Sequence, residues 1–238
     1  MTPPRPDFRP DLRHVDAWVF DLDNTLYPAG CNLFREIDAR MAAFIRDELG
    51  LADAEARRLQ KDYYVRYGTT MAGLMREHDV HPERFMEFVH DIDLAPVAPA
   101  PELCEAIEAL RGRKFVFTNG SAKHAANVMG KLGVAHCFDE VFDIKDAGWT
   151  PKPHRETYER FLSAHDIAPA SAAMFDDIAV NLKEAFDLGM TTVLVASSAE
   201  WISDEPDAKR PAKPDETFDY VHHVTDDLTG FLRNCTAS

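Results

Sequence analysis

The chain is short of positive charge. Lys and Arg number 26 against 41 Asp and Glu, a formal net charge of −15 over 238 residues. Phosphate backbones are bound by basic surfaces, so this balance argues against a nucleic-acid polymer as partner. It also means that an anionic substrate needs a local cation to hold it. Cysteine is scarce: Cys31, Cys104, Cys137 and Cys235 form no C-x-x-C pair, and their spacings do not suggest a zinc site. Buried, reduced thiols in a reducing compartment are the expectation. No apolar run approaches the length of a membrane span. The segment Met1–Pro10 is rich in Pro and Arg, lacks the apolar stretch of a signal peptide, and reads as a loose tail. These absences together predict a cytoplasmic protein with no membrane partner. There is no internal repeat and no low-complexity segment.

What is there begins with Val19-Phe20-Asp21-Leu22-Asp23-Asn24-Thr25-Leu26. Two acids sit one residue apart, directly after a largely apolar run, Val15 to Phe20, that reads as a buried strand. Like charges at the edge of a core are costly unless a cation or a substrate uses them. The same residues also suit a plain exit from strand into turn, since Asp, Asn and Thr are turn and cap formers.

The pattern then changes. Leu33, Phe34, Ile37, Met41, Phe44, Ile45 and Leu49 fall at helical spacing, with Gly50 as a stop. Helical pattern continues at 53–67, 70–78 and 82–91, with no strand pattern, until the prolines Pro96, Pro99 and Pro101. Residues 29–95 therefore read as an all-helical insert, and 1–28 with 96–238 as the surrounding core. In the core, strands expected at 113–118, 140–144, 172–176, 191–196 and 218–221 alternate with helices at 101–111, 121–132, 154–165, 178–188 and 225–233. Residues 202–216, polar and proline-rich, read as a loop. Such alternation predicts an α/β fold with a doubly wound parallel sheet covered on both faces. In that fold, chemistry collects at the carboxyl ends of the strands.

Each predicted strand end carries polar or charged groups: Asp21 and Asp23, then Thr118-Asn119-Gly120, then Asp176-Asp177 with Asn181 following. Lys152 stands between Pro151 and Pro153 just before a helix. Right-handed crossovers bring these ends to one edge. The four segments, in this order and with a helical insert after the first, resemble the motifs of the haloacid dehalogenase superfamily of phosphotransferases. The resemblance implies a Rossmann-like core with an inserted cap. It implies that Asp21 is the nucleophile, forming an aspartyl-phosphate. It implies that Asp23 is the acid and base, with a pKa raised relative to Asp21. Thr118 and Asn119 would hold phosphoryl oxygens, and Lys152 would neutralise charge. Mg²⁺ would be held by the Asp21 carboxylate, the Asp23 carbonyl and Asp177, with Asp176 binding through water or from behind. Superfamily members that act on 2-haloacids lack the second acid, so Asp23 favours phosphate esters over halides.

Further segments are similar to the pyrimidine 5'-nucleotidase branch. They are Phe20 to Pro28, Arg40-Met41-Ala-Ala-Phe44-Ile45, Tyr63-Tyr64 with Tyr67-Gly-Thr-Thr70, and Phe117 to Gly120 with His124-Ala125. This implies hydrolysis of a pyrimidine nucleoside monophosphate such as UMP or CMP, with Tyr63, Tyr64 and Arg66 of the insert as leaving-group contacts. Packing of those tyrosines within the insert is the alternative. Three other functions stay open at this point: a phosphatase of a sugar phosphate or phosphoglycolate, a 2-haloacid dehalogenase, and a non-catalytic scaffold. Monomer and homodimer are both open. Asp21-x-Asp23 is not a calcium loop, since loop positions 6 and 12 are Leu26 and Asn32. Gly130-Lys131-Leu132-Gly133 lacks the P-loop pattern. His78, His81 and His90 read as solvated or satisfied histidines, and His222-His223 as a strand end.

Overall fold

The computed structural model describes residues 10–204 and 210–236. The expected N-terminal tail and the middle of the 202–216 loop lie outside the described residues. Six strands form one parallel sheet in the order β3-β2-β1-β4-β5-β6. They are β1 Ala17–Phe20, β2 Arg113–Phe117, β3 Glu140–Phe142, β4 Ala172–Asp176, β5 Thr191–Val195 and β6 His223–Thr225. Among the described residues, no helix is long and apolar enough to cross a membrane.

Strand β1 is central, and all four of its residues are buried. Alternate side chains feed opposite faces. Trp18 and Phe20 join one apolar cluster, with Val128 and Met129 of α6 (Ala122–Leu132), Leu103 and Ile107 of α5 (Pro101–Glu108), and Phe231 and Leu232 of α9 (Leu228–Thr236). Ala17 and Val19 join the other, with Tyr158 and Phe161 of α7 (Arg155–Ala164) and Leu182 and Ala185 of α8 (Ala179–Asp187). A strand buried on both sides must be apolar throughout, which is why β1 shows no polar alternation.

Between β1 and β2 lie α1 (Leu33–Leu49), α2 (Asp53–Tyr67), α3 (Thr70–His78) and α4 (Pro82–Val89). They share an apolar cluster of their own, including Ile37, Phe44, Ile45, Leu74, Phe85 and Val89, which meets the sheet-bearing part at Ile144. Gly50 ends α1 in the left-handed region at φ +65°, where a side chain would be strained.

The end of the chain departs from expectation. The run 218–221 is not a strand. Phe218, Tyr220 and Val221 pack partly buried against the second cluster, and the backbone turns there, with Val221 N–H donating to Phe218 O. Pairing with β5 begins only at His223, opposite Val193. Burial of an apolar run does not require a ladder, so alternation alone misplaced the strand. The last helix starts at Leu228 because Asp227 Oδ1 accepts from Gly230 N–H at 2.9 Å, a side-chain cap at its first turn.

Candidate active site

Register brings the reactive residues together. Phe20 pairs with Val116 on one side and Phe175 on the other. Asp21 N–H continues the ladder to Phe175 O at 2.8 Å, so Asp21 lies beside Asp176. Thr118 follows β2 and donates its N–H to Phe142 O. The carboxyl ends of the three central strands thus deliver two carboxylates and a hydroxyl to one edge.

Lys152 reaches them from the loop before α7. Its side chain is 1% exposed, and its three ammonium donors are all used at 2.8 Å: Asp21 Oδ1, Asp176 Oδ2 and the carbonyl of Phe117. Burial alone would lower its pKa; the Asp176 and Asp21 charges and hydrogen bonds outweigh burial and raise it. Asn119 positions this lysine. Its amide accepts from Lys152 N–H at 2.7 Å and donates to Lys152 O at 3.2 Å. Both ends of that amide clamp the lysine segment, and its second N–H is left for the phosphoryl contact expected of Asn119, which lines the cavity. Thr118 Oγ1 accepts from Gly120 N–H at 2.9 Å, which leaves its hydroxyl proton to donate.

The paired acids at 176 and 177 have different surroundings. Asp176 is saturated by Lys152, Ile178 N–H and the Asn181 amide. Asp177 is equally buried, yet its Oδ2 has no hydrogen-bond partner. Burial, together with the charges of Asp21 and Asp176, holds Asp177 well above the usual carboxylate range. Carboxyl oxygens of Asp21, Asp176 and Asp177 lie within 4.8 Å of one another. An unpartnered, buried carboxyl oxygen beside two more carboxylates is, once ionised, a donor set for a hard divalent cation.

Asp23 overturns the expectation about its pKa. Its Oδ1 accepts from Tyr27 Oη at 2.6 Å and pairs with His124 Nε2 at 2.8 Å. Burial would raise Asp23, but the charge and hydrogen bond of His124 and the Tyr27 hydrogen bond together bring it down to about 2. Asp21 moves the other way. Burial pushes it up to about 7 against the pull of Lys152, with Asp176 and Asp23 adding like charge. The order of the two acids is the reverse of the one the resemblance implied.

The histidines behind Asp23 were legible only in part. His124 lies in the first turn of α6, whose N-cap Ser121 accepts from His124 N–H. His90, at the end of α4, stacks on His124 with ring centres 4.2 Å apart and an interplanar angle of 12°, and its Nδ1 bonds Ser121 Oγ at 2.9 Å. Burial, then the charge of His124, pushes His90 down to about 3 against the opposing pull of Asp23, so it stays neutral. The reading of His90 as an isolated satisfied histidine missed this link, because nothing in the sequence ties position 90 to position 124. Tyr27 could have been found: it falls four residues after Asp23, one helical turn on.

One cavity joins the sheet edge to the insert. Asp21, Asp23, Thr118, Lys152 and Asp177 form one side. Phe34, Met41, Gln60, Tyr64, Phe85 and Met86 are among the residues from the insert, and Trp201 adds to the lining. Tyr64 is thus in place as a wall of the cavity. Tyr63 and Arg66 are not, which corrects both. Tyr63 is buried in the insert's own core; its hydroxyl bonds His78 Nε2 at 2.6 Å, and a side chain at Gly73 would overlap its ring. Arg66 lies on the exposed face of α2, paired with Asp62 at 2.9 Å and packed over Tyr67. Gln60 was missed altogether. It is 2% exposed, and its Nε2 donates to the backbone and carboxylate of Asp38 at 3.1 and 2.6 Å. Its Oε1 has no partner.

Known proteins place this arrangement. The family model described as haloacid dehalogenase-like hydrolase matches residues 15–189. Phosphate metabolism protein 8 of Saccharomyces cerevisiae is 28% identical over 194 residues, covering 75% of this chain and 60% of the yeast protein. The chain thus spans about three fifths of that relative's length. Glyceraldehyde 3-phosphate phosphatase of Methanopyrus kandleri is 25% identical over 197 residues, 76% of this chain and 84% of that protein. The fold is similar to that of L-2-haloacid dehalogenase from Xanthobacter autotrophicus, with a TM-score of 0.55 at 18% identity over 92% of this chain and 97% of the other. With the family model matching most of the chain and the strand-end carboxylates converging, the chain belongs to the haloacid dehalogenase-like hydrolases.

Proposed function

We propose that the protein is a Mg²⁺-dependent phosphomonoester hydrolase that works through an aspartyl-phosphate on Asp21, and that its substrate is a pyrimidine nucleoside 5'-monophosphate. The observation that carries the reaction is the Lys152 bridge between Asp21 and Asp176, set beside the orphaned Asp177 Oδ2. In this reading α1–α4 of the 29–95 insert are a cap over the sheet edge.

Lys152 holds Asp21 by Oδ1, leaving Oδ2 to attack phosphorus as the bond to the ester oxygen breaks. Thr118 donates to a phosphoryl oxygen. Asp21 and Asp177 would hold Mg²⁺, with Asp176 held behind them by its own partners. When bound, the ion neutralises phosphoryl charge and the crowding of carboxylates. Asp23 serves the two half-reactions. Ionised in the free enzyme, it takes a proton from solvent as a phosphate dianion arrives beside it and raises its affinity for one. It passes that proton to the leaving oxygen, then removes one from the attacking water. Tyr27 and His124 keep its carboxylate aimed throughout.

The leaving-group assignment rests on the insert side of the cavity. Largely apolar walls suit a flat ring, and the Gln60 amide, which lines the cavity with an unpartnered Oε1, suits an N–H on its edge. A pyrimidine base offers both. A second reading, a triose- or sugar-phosphate phosphatase, is favoured by the name of the Methanopyrus relative; a polyol leaving group gains little from apolar walls. A panel of phosphate esters, read by free phosphate with and without chelator, tests both. UMP and CMP should lead, with turnover lost to chelator and restored by Mg²⁺. If they rank among the poorest substrates, the nucleotidase reading fails while the phosphatase reading stands. If no ester turns over with Mg²⁺, both fail.

A further inference from the structure

The active site is not the only place where metal-ligating side chains converge. Cys104 and Glu108 fall four residues apart on α5, so they share a face. His136 and Cys137 are neighbours in the tight turn Ala135–Cys137 that precedes β3. Helix α5 leads into β2 and the turn leads into β3, so the four residues meet towards the amino ends of these strands. That is the edge opposite to Asp21. Cys104 Sγ lies 3.4 Å from His136 Nε2 and 2.8 Å from Cys137 Sγ. His136 Nε2 lies 3.4 Å from Glu108 Oε1. One ligand atom from each residue lies within 4.8 Å of all the others.

We propose that Cys104, Cys137, His136 and Glu108 form a binding site for a thiophilic divalent cation, zinc foremost, which pins α5 to the turn before β3. Zinc bonds of about 2.3 Å to sulfur and about 2.0–2.1 Å to nitrogen and oxygen give tetrahedral edges of roughly 3.4–3.8 Å. The two edges at His136 already match. The sulfur pair must open by about 1 Å, a small rotation for the half-buried Cys104. Two thiolates, an imidazole and a carboxylate are a soft-to-borderline set that selects zinc over magnesium. Binding forms two metal–sulfur bonds and releases the two thiol protons to water.

The plainer description is a thiol pair beside a surface ion pair. It accounts for each contact in turn, but not for all four ligand atoms lying within 4.8 Å of one another. A Cys104–Cys137 disulfide would use the sulfurs alone and leave the approach of His136 and Glu108 without a reason. The separation of 33 residues between the cysteines explains why spacing concealed the site.

The test uses the full chain, purified reduced, stripped by chelator and titrated with Co²⁺. A near-ultraviolet thiolate-to-cobalt band and intense visible bands of tetrahedral cobalt should appear and saturate at one equivalent. Zinc should bleach both. The carboxylates around Asp21 hold no sulfur and give no such charge-transfer band. The band should vanish in the double variant Cys104→Ser with Cys137→Ser and weaken in Cys104→Ser, which keeps one thiolate. His136→Ala, at an exposed position, should keep its fold by circular dichroism and weaken binding about tenfold or more, with Mg²⁺-supported turnover unchanged. Zinc should raise the unfolding midpoint of the wild type but not of the double variant. Absence of the charge-transfer band, equal affinity in His136→Ala, or a disulfide joining Cys104 and Cys137 in the protein as isolated would each overturn the proposal.

Discussion

The two sides of the cavity are built on opposite plans. On the sheet edge the residues around the lysine bridge are saturated: Lys152 uses all three donors, Asp176 uses both oxygens, and Asn119 uses both ends of its amide, which leaves Asp177 Oδ2 as the unpartnered carboxylate oxygen beside them. On the insert side the walls are largely apolar, with Asp38, Lys61, Thr69 and Thr70 among them, and one buried acceptor, Gln60 Oε1, has no hydrogen-bond partner. The difference separates two tasks. Attack on phosphorus needs charges held without reorganisation, which a saturated hydrogen-bond network on rigid strand ends provides. Recognition of a leaving group needs a surface that excludes water and one or two open valences to read an edge. His90 joins the two plans, since it comes from the insert and stacks on the histidine that holds Asp23.

The contrast can be broken at its strongest point first. Asp21→Asn removes the nucleophile while leaving a side chain of the same shape. Turnover should fall by at least about 10³-fold with the fold intact by circular dichroism; retained activity defeats the aspartyl-phosphate mechanism. Lys152→Met tests the saturation argument by stability. It leaves the buried Asp21 and Asp176 without their cation, and should cost about 3–5 kcal/mol in a denaturant titration. A loss below about 1 kcal/mol would mean the bridge is no more than a surface ion pair.

A smaller effect belongs to the residues behind the acid. His124→Ala should lower kcat by about 10²-fold, within the usual range for an acid–base group deprived of its orientation, with KM little changed. A rise in KM at constant kcat would instead assign His124 to substrate binding. The smallest effect is expected on the insert side. Gln60→Leu removes the open acceptor and should raise KM for UMP about tenfold, the worth of one hydrogen bond in a buried site, while kcat stays within about twofold. If Gln60→Leu moves kcat and leaves KM, the two sides of the cavity do not divide the work as described.

Much of the sheet edge was legible because it depends on order along the chain. An apolar strand, a parallel crossover and an acid at the strand end are each local statements, and topology does the rest. The insert side was not legible in the same way. Tyr63 and Tyr64 are adjacent, yet helical geometry turns one into the helix core and the other into the cavity. Arg66 carries a charge suited to a phosphate ester, and its position on α2 faces it to solvent beside Asp62. Gln60 gives no signal until its amide is seen held by Asp38.

The sequence by itself determined the class of fold, the succession of its first five strands along the chain and which residues stand at their carboxyl ends. It did so because hydrophobic periodicity and chain connectivity are properties of neighbours. The tertiary structure alone decided how those residues differ. Asp176 is saturated and Asp177 is not. Asp23 is held ionised by Tyr27 and His124 while burial raises Asp21. Cys104 and Cys137 meet across 33 residues. Burial, hydrogen-bond saturation and the field at a carboxylate are set by atoms a few ångströms away in space, and most of those atoms are distant in the chain.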